Sequence, residues 1–313
     1  MSLQALYDLP APAKLNRFLH VVGRRADGYH LLQSVFVLID WADQLHLERR
    51  ADGRLIRHDL GPALPADDLC LRAARALQSA SGCELGVDIS IQKHLPWGAG
   101  LGGGSSDAAT TLLALNRLWG LHWPRARLAQ LGLALGADVP FFMGGHNAFV
   151  EGIGERLTPM RMPPMRYVVV KPPAAIPTRD IFEHPMLARD TGTVIVTGSF
   201  DDTEDVQKVI GWPADWAADF GKNDLQPPAQ DRCPDVAQVA AWLKSRYGNS
   251  RMTGSGSAVF ATVVGSDCKT DGMKDGMAAR PMVTVPLETL PVGWVGRMCR
   301  GLDVHPLAGW ATD

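Results

Sequence analysis

Between residues 13 and 22 the chain reads AKLNRFLHVV, and its apolar and polar positions alternate with the two-residue period of a strand. LLQSVFVLID (31–40) and QLHLER (44–49) repeat the pattern, and DGYH (27–30) and WAD (41–43) separate the three strands as turns. GVDISIQ (86–92) alternates strictly, with Val87, Ile89 and Ile91 on one face. Helical spacing governs DDLCLRAARALQSA (67–80): Leu69, Ala73, Ala76, Leu77 and Ala80 recur on one side, and Gly82 follows the end. SSDAATTLLALNRLWG (105–120) predicts a second helix, with Ser105 or Ser106 placed to cap its first turn. RARLAQLGLALG (125–136) predicts a third, with Pro124 at its first position.

A GADVP turn, a short FFM segment and the strand NAFVEG (147–152) follow. The proline-rich TPMRMPPMR (158–166) is the candidate boundary, dividing the chain into 1–160 and 161–313. Beyond it, RYVVVK (166–171) and AVFATVV (258–264) read as strands, and PDVAQVAAWLKSRYG (234–248) as a helix ended by glycine. Residues 190–222, rich in Asp, Gly and Thr around Trp212 and Trp216, take no element from the pattern. Adjacent strands and grouped helices, without regular βαβ alternation, indicate an α+β fold.

Composition narrows the function classes. A chain of 313 residues, 46% hydrophobic and 20% charged, has the make-up of a soluble globular protein with a substantial core. Its 31 Lys and Arg balance 33 Asp and Glu. That balance gives no electrostatic case for a nucleic-acid groove or an anionic membrane surface, while leaving room for a local phosphate pocket. Cys70, Cys83, Cys233, Cys268 and Cys299 are scattered without a C-x-x-C, so neither a disulfide framework nor a zinc site is expected. MSLQALYDLP has no leader pattern and no run of 18 apolar residues occurs, so a cytoplasmic protein with no membrane or nucleic-acid partner is expected.

The chemistry centres on PWGAGLGGGSS, comprising Pro96, Trp97, Gly98, Ala99, Gly100, Leu101, Gly102, Gly103, Gly104, Ser105 and Ser106. A linker would separate domains, whereas this run joins a strand directly to a helix and carries the buriable Leu101. Gly98, Gly100 and Gly103 match G-x-G-x-x-G, but a dinucleotide turn needs an acidic residue about 20 positions on. No Asp or Glu occurs from Ala108 to Ala137. A Walker-type loop fails because no G-K-[ST] closes the run. What remains is a loop whose amides cradle phosphates and feed the positive end of a helix.

PWGAGLGGGSSDAA resembles the ATP-binding signature of the GHMP small-molecule kinases. AKLNRFLHVVGRRADGYHLLQSVF (13–36), GADVPFF (136–142), KPPAAIPTRDIF (171–182), NDLQP (223–227) and RMTGSGSAVFA (251–261) are similar, in order, to segments of the branch acting on a cytidylyl sugar alcohol. The resemblance spans residues 10 to 265 and implies an N-terminal ATP-binding domain, a C-terminal α+β domain and a site in the cleft between them. It implies an ATP-dependent phosphotransferase acting on a hydroxyl of 4-diphosphocytidyl-2-C-methyl-D-erythritol in the non-mevalonate isoprenoid route, with Mg2+ accompanying ATP and its protein ligands open. Mevalonate derivatives or homoserine are the alternative acceptors, and a non-catalytic nucleotide-binding protein the alternative class.

The resemblance also assigns residues. Asp138, in isolation a turn or helix-cap aspartate, becomes the base that receives the hydroxyl proton. Lys14, two positions from Asn16 on one strand face, stabilises charge developing on the attacking oxygen. Tyr29 and Phe182 stack on the cytosine, His30 pairs with its polar edge, and Asn16 and Thr178 contact substrate. The second glycine motif, Gly254, Ser255, Gly256 and Ser257, packs beside the phosphate loop. Trp97 departs from the family pattern, which has a smaller or thioether side chain there.

Overall fold

The structure, a computed structural model, describes residues 3–196, 210–213, 216, 220–263 and 290–313. Val264, the last residue of one expected strand, Cys268 and parts of 190–222 lie outside the described residues. The mixture of strands and helices is the α+β class expected from the pattern.

The frame is a long hairpin. Strand β1 (Ala5–Arg24) pairs antiparallel with β2 (His30–Arg50) around the turn that carries Gly28. WAD, expected as a turn, runs inside β2 instead. Pairing shifts there from Pro12↔Ala42 to Ala13↔Ile39, a bulge that bends the hairpin without breaking it. Pro12 has no N–H to give, so an irregular rung is where a strand tolerates it. Residues 11–21 are buried without interruption, because sheet and helices cover this strand on both faces.

Around the hairpin stand β3 (Leu55–Asp59), β4 (Gly86–Gln92), β5 (Ala148–Gly152), β6 (Arg156–Arg161), β7 (Arg166–Lys171), β8 (Ile210–Gly211), β9 (Arg251–Met252), β10 (Val259–Val263) and β11 (Val295–Leu302). The sheet runs β8-β6-β5-β2-β11-β7-β10-β9, and β1 and β4 add to β2, with β3 parallel to β4. Strand β6 occupies the start of the proline-rich segment and pairs with β5.

Helices α1 (Leu69–Ser81), α2 (Gly103–Leu118), α3 (Arg125–Leu133) and α4 (Val139–Gly144) cover one end. The Asp68 side chain caps α1 by accepting from Leu71 N at 3.0 Å. Two expectations shift here. Helix α2 starts at Gly103, so Ser105 and Ser106 lie inside its first turn rather than capping it, and Pro124 is the residue before α3. The last two residues of the expected GADVP turn join the FFM segment in α4, which starts at Val139. Leu112, Leu115, Ile89, Leu45 and Phe142 are fully buried among these elements. A second core joins α6 (Gln226–Arg232) and α7 (Pro234–Tyr247) to β7 and β10 through Val236, Val239, Leu243, Val168 and Val259. Short α5 (Thr178–Phe182) follows β7. The four cysteines among the described residues are free, and no described helix is long and apolar enough to cross a membrane.

The chain end returns to the first core. Strand β11 pairs with both β7 and β2, and Leu307 and Ala311 then pack with α2 and α4. Arg125 clasps this end: it donates to the Met143, Ala308 and Ala311 carbonyls at 2.8, 2.7 and 2.8 Å. Arg125→Ala leaves those carbonyls without their donor, and a loss of about 2–4 kcal/mol is expected in urea unfolding. A loss below about 0.5 kcal/mol would show that the chain end docks through its apolar contacts alone.

Candidate active site

The glycine loop leaves β4, crosses the mouth of the cleft and enters α2. Leu101, 2% exposed, anchors it in the core, and Lys14 N donates to the Leu101 carbonyl at 2.9 Å. Gly102 precedes the helix with φ +72°, and the first intrahelical bond is Ser106 N to Gly102 O at 2.9 Å. The amides of Gly103, Gly104 and Ser105 therefore stand ahead of the helical ladder, at the positive end of a helix of 16 residues. A cleft of about 430 Å³ opens over the loop, lined also by Leu64, Leu69, Lys93 and Leu95. Trp97 stands 57% exposed on its wall.

A second loop locks onto the first. Ser257 N donates to Gly98 O at 3.0 Å and Ala258 N to Ala99 O at 3.1 Å. Gly100 lies against the Thr253 carbonyl so closely that a Cβ would sit 2.2 Å from its oxygen. Asn16, fully buried, ties the second loop to β1. Its Oδ1 accepts from Lys14 Nζ at 2.8 Å and Gly254 N at 2.9 Å, and its Nδ2 donates to Ser34 Oγ at 3.0 Å. Asn16, expected at the substrate, is thus occupied with holding Lys14 and the second loop.

Lys14 and Asp138, 124 residues apart in the chain, meet here. Lys14 Nζ lies 3.3 Å from Asp138 Oδ2 and over the Phe36 ring, with Lys14 buried and Asp138 partly open. Asp138 is the residue before α4, yet its side chain makes no capping bond, so the helix-cap reading of GADVP does not hold. The Lys14 ammonium touches two groups that differ in exposure: the buried amide oxygen of Asn16 and the partly exposed carboxylate of Asp138.

The expected base-binding residues gather at the far end of the hairpin. His30 and Phe182 stack with centroids 5.2 Å apart and planes 26° apart. Tyr29 stands 61% exposed on the adjoining turn, with its N–H donating to Asp27 Oδ1 at 3.2 Å. Thr178 shares a hydrogen bond with Ser255 at 2.7 Å, joining α5 to the second glycine loop. A separate cavity of about 470 Å³ between α6, α7 and β10 holds none of these residues.

Beneath the phosphate loop lies a triad that the sequence pattern hid. Lys93 bridges Asp43 and Asp107, with Nζ 2.5 Å from Asp107 Oδ2. Asp43 also accepts from the His94 and Leu95 amides at 2.6 and 2.7 Å. Reading WAD as a turn concealed Asp43, which points inward from a continuous strand. Burial, reinforced by Asp43 against the pull of Lys93, pushes Asp107 up to about 8 from 3.8. The folded protein then keeps a proton that the unfolded chain releases above pH 3.8, so stability declines as pH rises towards 8. Asp107→Asn cannot titrate, and its urea-unfolding free energy is expected to decline less between pH 5 and 8, by about 1 kcal/mol or more. Equal slopes in variant and parent would remove the buried proton from this account.

Comparison with known proteins places the chain in a family. Residues 68–146 match the GHMP kinases N terminal domain and residues 205–272 the GHMP kinases C terminal domain. A 4-diphosphocytidyl-2-C-methyl-D-erythritol kinase of Methylibium petroleiphilum is 61% identical over 99% of this chain and 100% of its own length. One from Variovorax paradoxus is 53% identical over the same shares. A crystal structure of a 4-(cytidine 5'-diphospho)-2C-methyl-D-erythritol kinase superposes with a TM-score of 0.64 at 36% identity, covering 80% of this chain and 88% of that one. A Cytophaga hutchinsonii homoserine kinase, at 14% identity and a TM-score of 0.58, covering 83% of this chain and 85% of its own, shares the fold. With two whole-length relatives above half identity and a glycine loop set on a lysine–aspartate pair, the chain belongs to the 4-diphosphocytidyl-2-C-methyl-D-erythritol kinases of the GHMP kinase family.

Proposed function

We propose that this chain transfers the γ-phosphoryl group of ATP to the free hydroxyl of the erythritol unit in 4-diphosphocytidyl-2-C-methyl-D-erythritol, in the cytoplasm, as a step of the non-mevalonate isoprenoid route. The observation that carries the reading is the Lys14–Asp138 pair, 3.3 Å apart beside a loop rich in free amides. Residues 98–104 hold the phosphates by backbone N–H groups, and the start of α2 adds its dipole. Asp138, partly exposed, accepts the acceptor hydroxyl's proton as the new P–O bond forms. Lys14, held by Asn16, faces the oxygen that gains charge as that proton leaves. The division between residues 1–160 and 161–313 puts the phosphate loop on one side and α5, with Phe182 and Thr178, on the other.

Magnesium comes with the nucleotide in this reading. Among the described residues no group of three or more His, Cys, Asp or Glu side chains could hold a metal ion alone, which fits an ion carried by the phosphates. Ser105, which lines the cleft, and Ser106, whose buried Oγ has no hydrogen-bond partner among the described residues, are the hydroxyls at the start of α2 that would hold it. The ion neutralises phosphate charge; orientation of the acceptor falls to Asp138, Lys14 and the base-binding residues.

Tyr29, His30 and Phe182 favour a cytidylyl acceptor over mevalonate or homoserine, which carry no base to stack. ADP release measured with ATP and each of these three alcohols tests the choice. Turnover with the cytidylyl substrate is expected; turnover of mevalonate or homoserine alone would replace it. Asp138→Asn is expected to lower kcat by about 10²–10⁴-fold, and near-normal kcat in that variant would remove Asp138 from the proton transfer.

A further inference from the structure

We propose that Arg189 is a positioning residue of the base site: by donating to His30 it fixes the imidazole with its proton on Nδ1 and so favours cytosine over uracil. This rests on the cytidylyl reading above. Arg189 Nε donates to His30 Nε2 at 3.3 Å. A guanidinium offers only donors and stays protonated, so Nε2 can only accept. A neutral ring that accepts at Nε2 must carry its hydrogen on Nδ1. Nδ1 has no hydrogen-bond partner among the described residues and is left free for a ligand.

The same guanidinium holds the opposing wall. Its remaining nitrogens donate to the carbonyls of Leu187, Phe182 and His184 at 3.1, 3.2 and 3.1 Å. Phe182 is the last residue of α5, and its ring lies against His30. One cation therefore sets the spacing of both rings and the proton on one of them. The charges around His30 agree with a neutral ring. Arg24 stands opposite on β1, Asp27 of the turn is paired with Arg25 at 2.7 Å, and Glu183 beyond α5 is paired with Arg179 at 2.7 Å. Burial, with Arg189 and Arg24, holds His30 below its ordinary range.

The consequence is chemical selectivity. Cytosine presents an unprotonated N3, an acceptor that a fixed Nδ1–H donor can meet. Uracil carries a hydrogen on N3, so the same donor meets a donor. A site built on a fixed hydrogen bond rejects an analogue that leaves its polar group unpaired.

Two measurements decide the matter. Long-range ¹H–¹⁵N spectra of histidine-labelled protein, with His30→Gln to assign the signal, are expected to show His30 protonated on Nδ1 at pH 7.5. A ring protonated on Nε2, or averaging between the two forms, would overturn the proposal whatever the substrate. The second readout is the ratio of kcat/KM for the cytidylyl substrate to that for its uridylyl analogue. Arg189→Ala is expected to lower the ratio by about tenfold, the scale of one hydrogen bond. The loss falls mainly on KM and shrinks as pH drops from 8 to 6, because without Arg189 the His30 ring protonates more readily and an imidazolium carries a hydrogen on Nδ1 whatever the tautomer. Arg189→Lys, which restores a donor, recovers most of the ratio. An unchanged ratio in folded Arg189→Ala overturns the proposal. Failure of the parent protein to turn over the cytidylyl substrate would sink the substrate reading, while the spectra would still decide the tautomer.

Discussion

Gly100 presses its backbone onto the Thr253 carbonyl, and Gly254 presses back onto Gly100. A Cβ on either residue would overlap the other loop: 2.2 Å from Thr253 O in one case and 2.9 Å from Gly100 O in the other. Both residues also have positive φ, +74° and +56°, which side-chain-bearing residues rarely adopt. Two segments more than 150 positions apart are thereby joined into one surface. The loop's glycines thus serve a close approach to another loop as well as the positive φ values of its turns.

That contact fixes the surroundings of Lys14. Asn16 sits behind it, receiving Gly254 N and Lys14 Nζ on one oxygen. Lys14 is therefore aimed by the same amide that anchors the second loop, and Asp138 meets it from the start of α4. The site draws on β1, the two glycine loops and α4, elements that only the closed hairpin and the returning β11 hold together. Asn16, completely buried, holds Lys14 and Gly254 through one oxygen.

Much of this was legible in the sequence, for identifiable reasons. The strictly alternating 86–92 and the apolar stripe of 67–80 gave β4 and α1 within a residue or two, because each buries one face. The glycine loop was legible because no side chain can replace its close approaches. Lys14, Asp138, His30 and Phe182 were found only through family resemblance, since a lone lysine or aspartate carries no pattern. WAD misled because a bulge lets a strand pass through turn-forming residues, and with it Asp43, Lys93 and the titration of Asp107 were lost. The start of α2 was missed by two residues because backbone conformation at Gly102, without a capping side chain, begins that helix. Arg189 left no trace, as its partners are carbonyls and a ring contributed by β2.

The account stands on the two loops acting as one element, and ATP affinity of Gly254→Ala, measured by calorimetry, tests that most directly. Gly254 lies outside the phosphate loop, yet the added methyl pushes on Gly100. ATP affinity is expected to fall by about tenfold or more, or 1.4 kcal/mol, with the far-ultraviolet circular dichroism of the parent. A folded Gly254→Ala protein that binds ATP as tightly as the parent would show that the phosphate loop holds its shape alone.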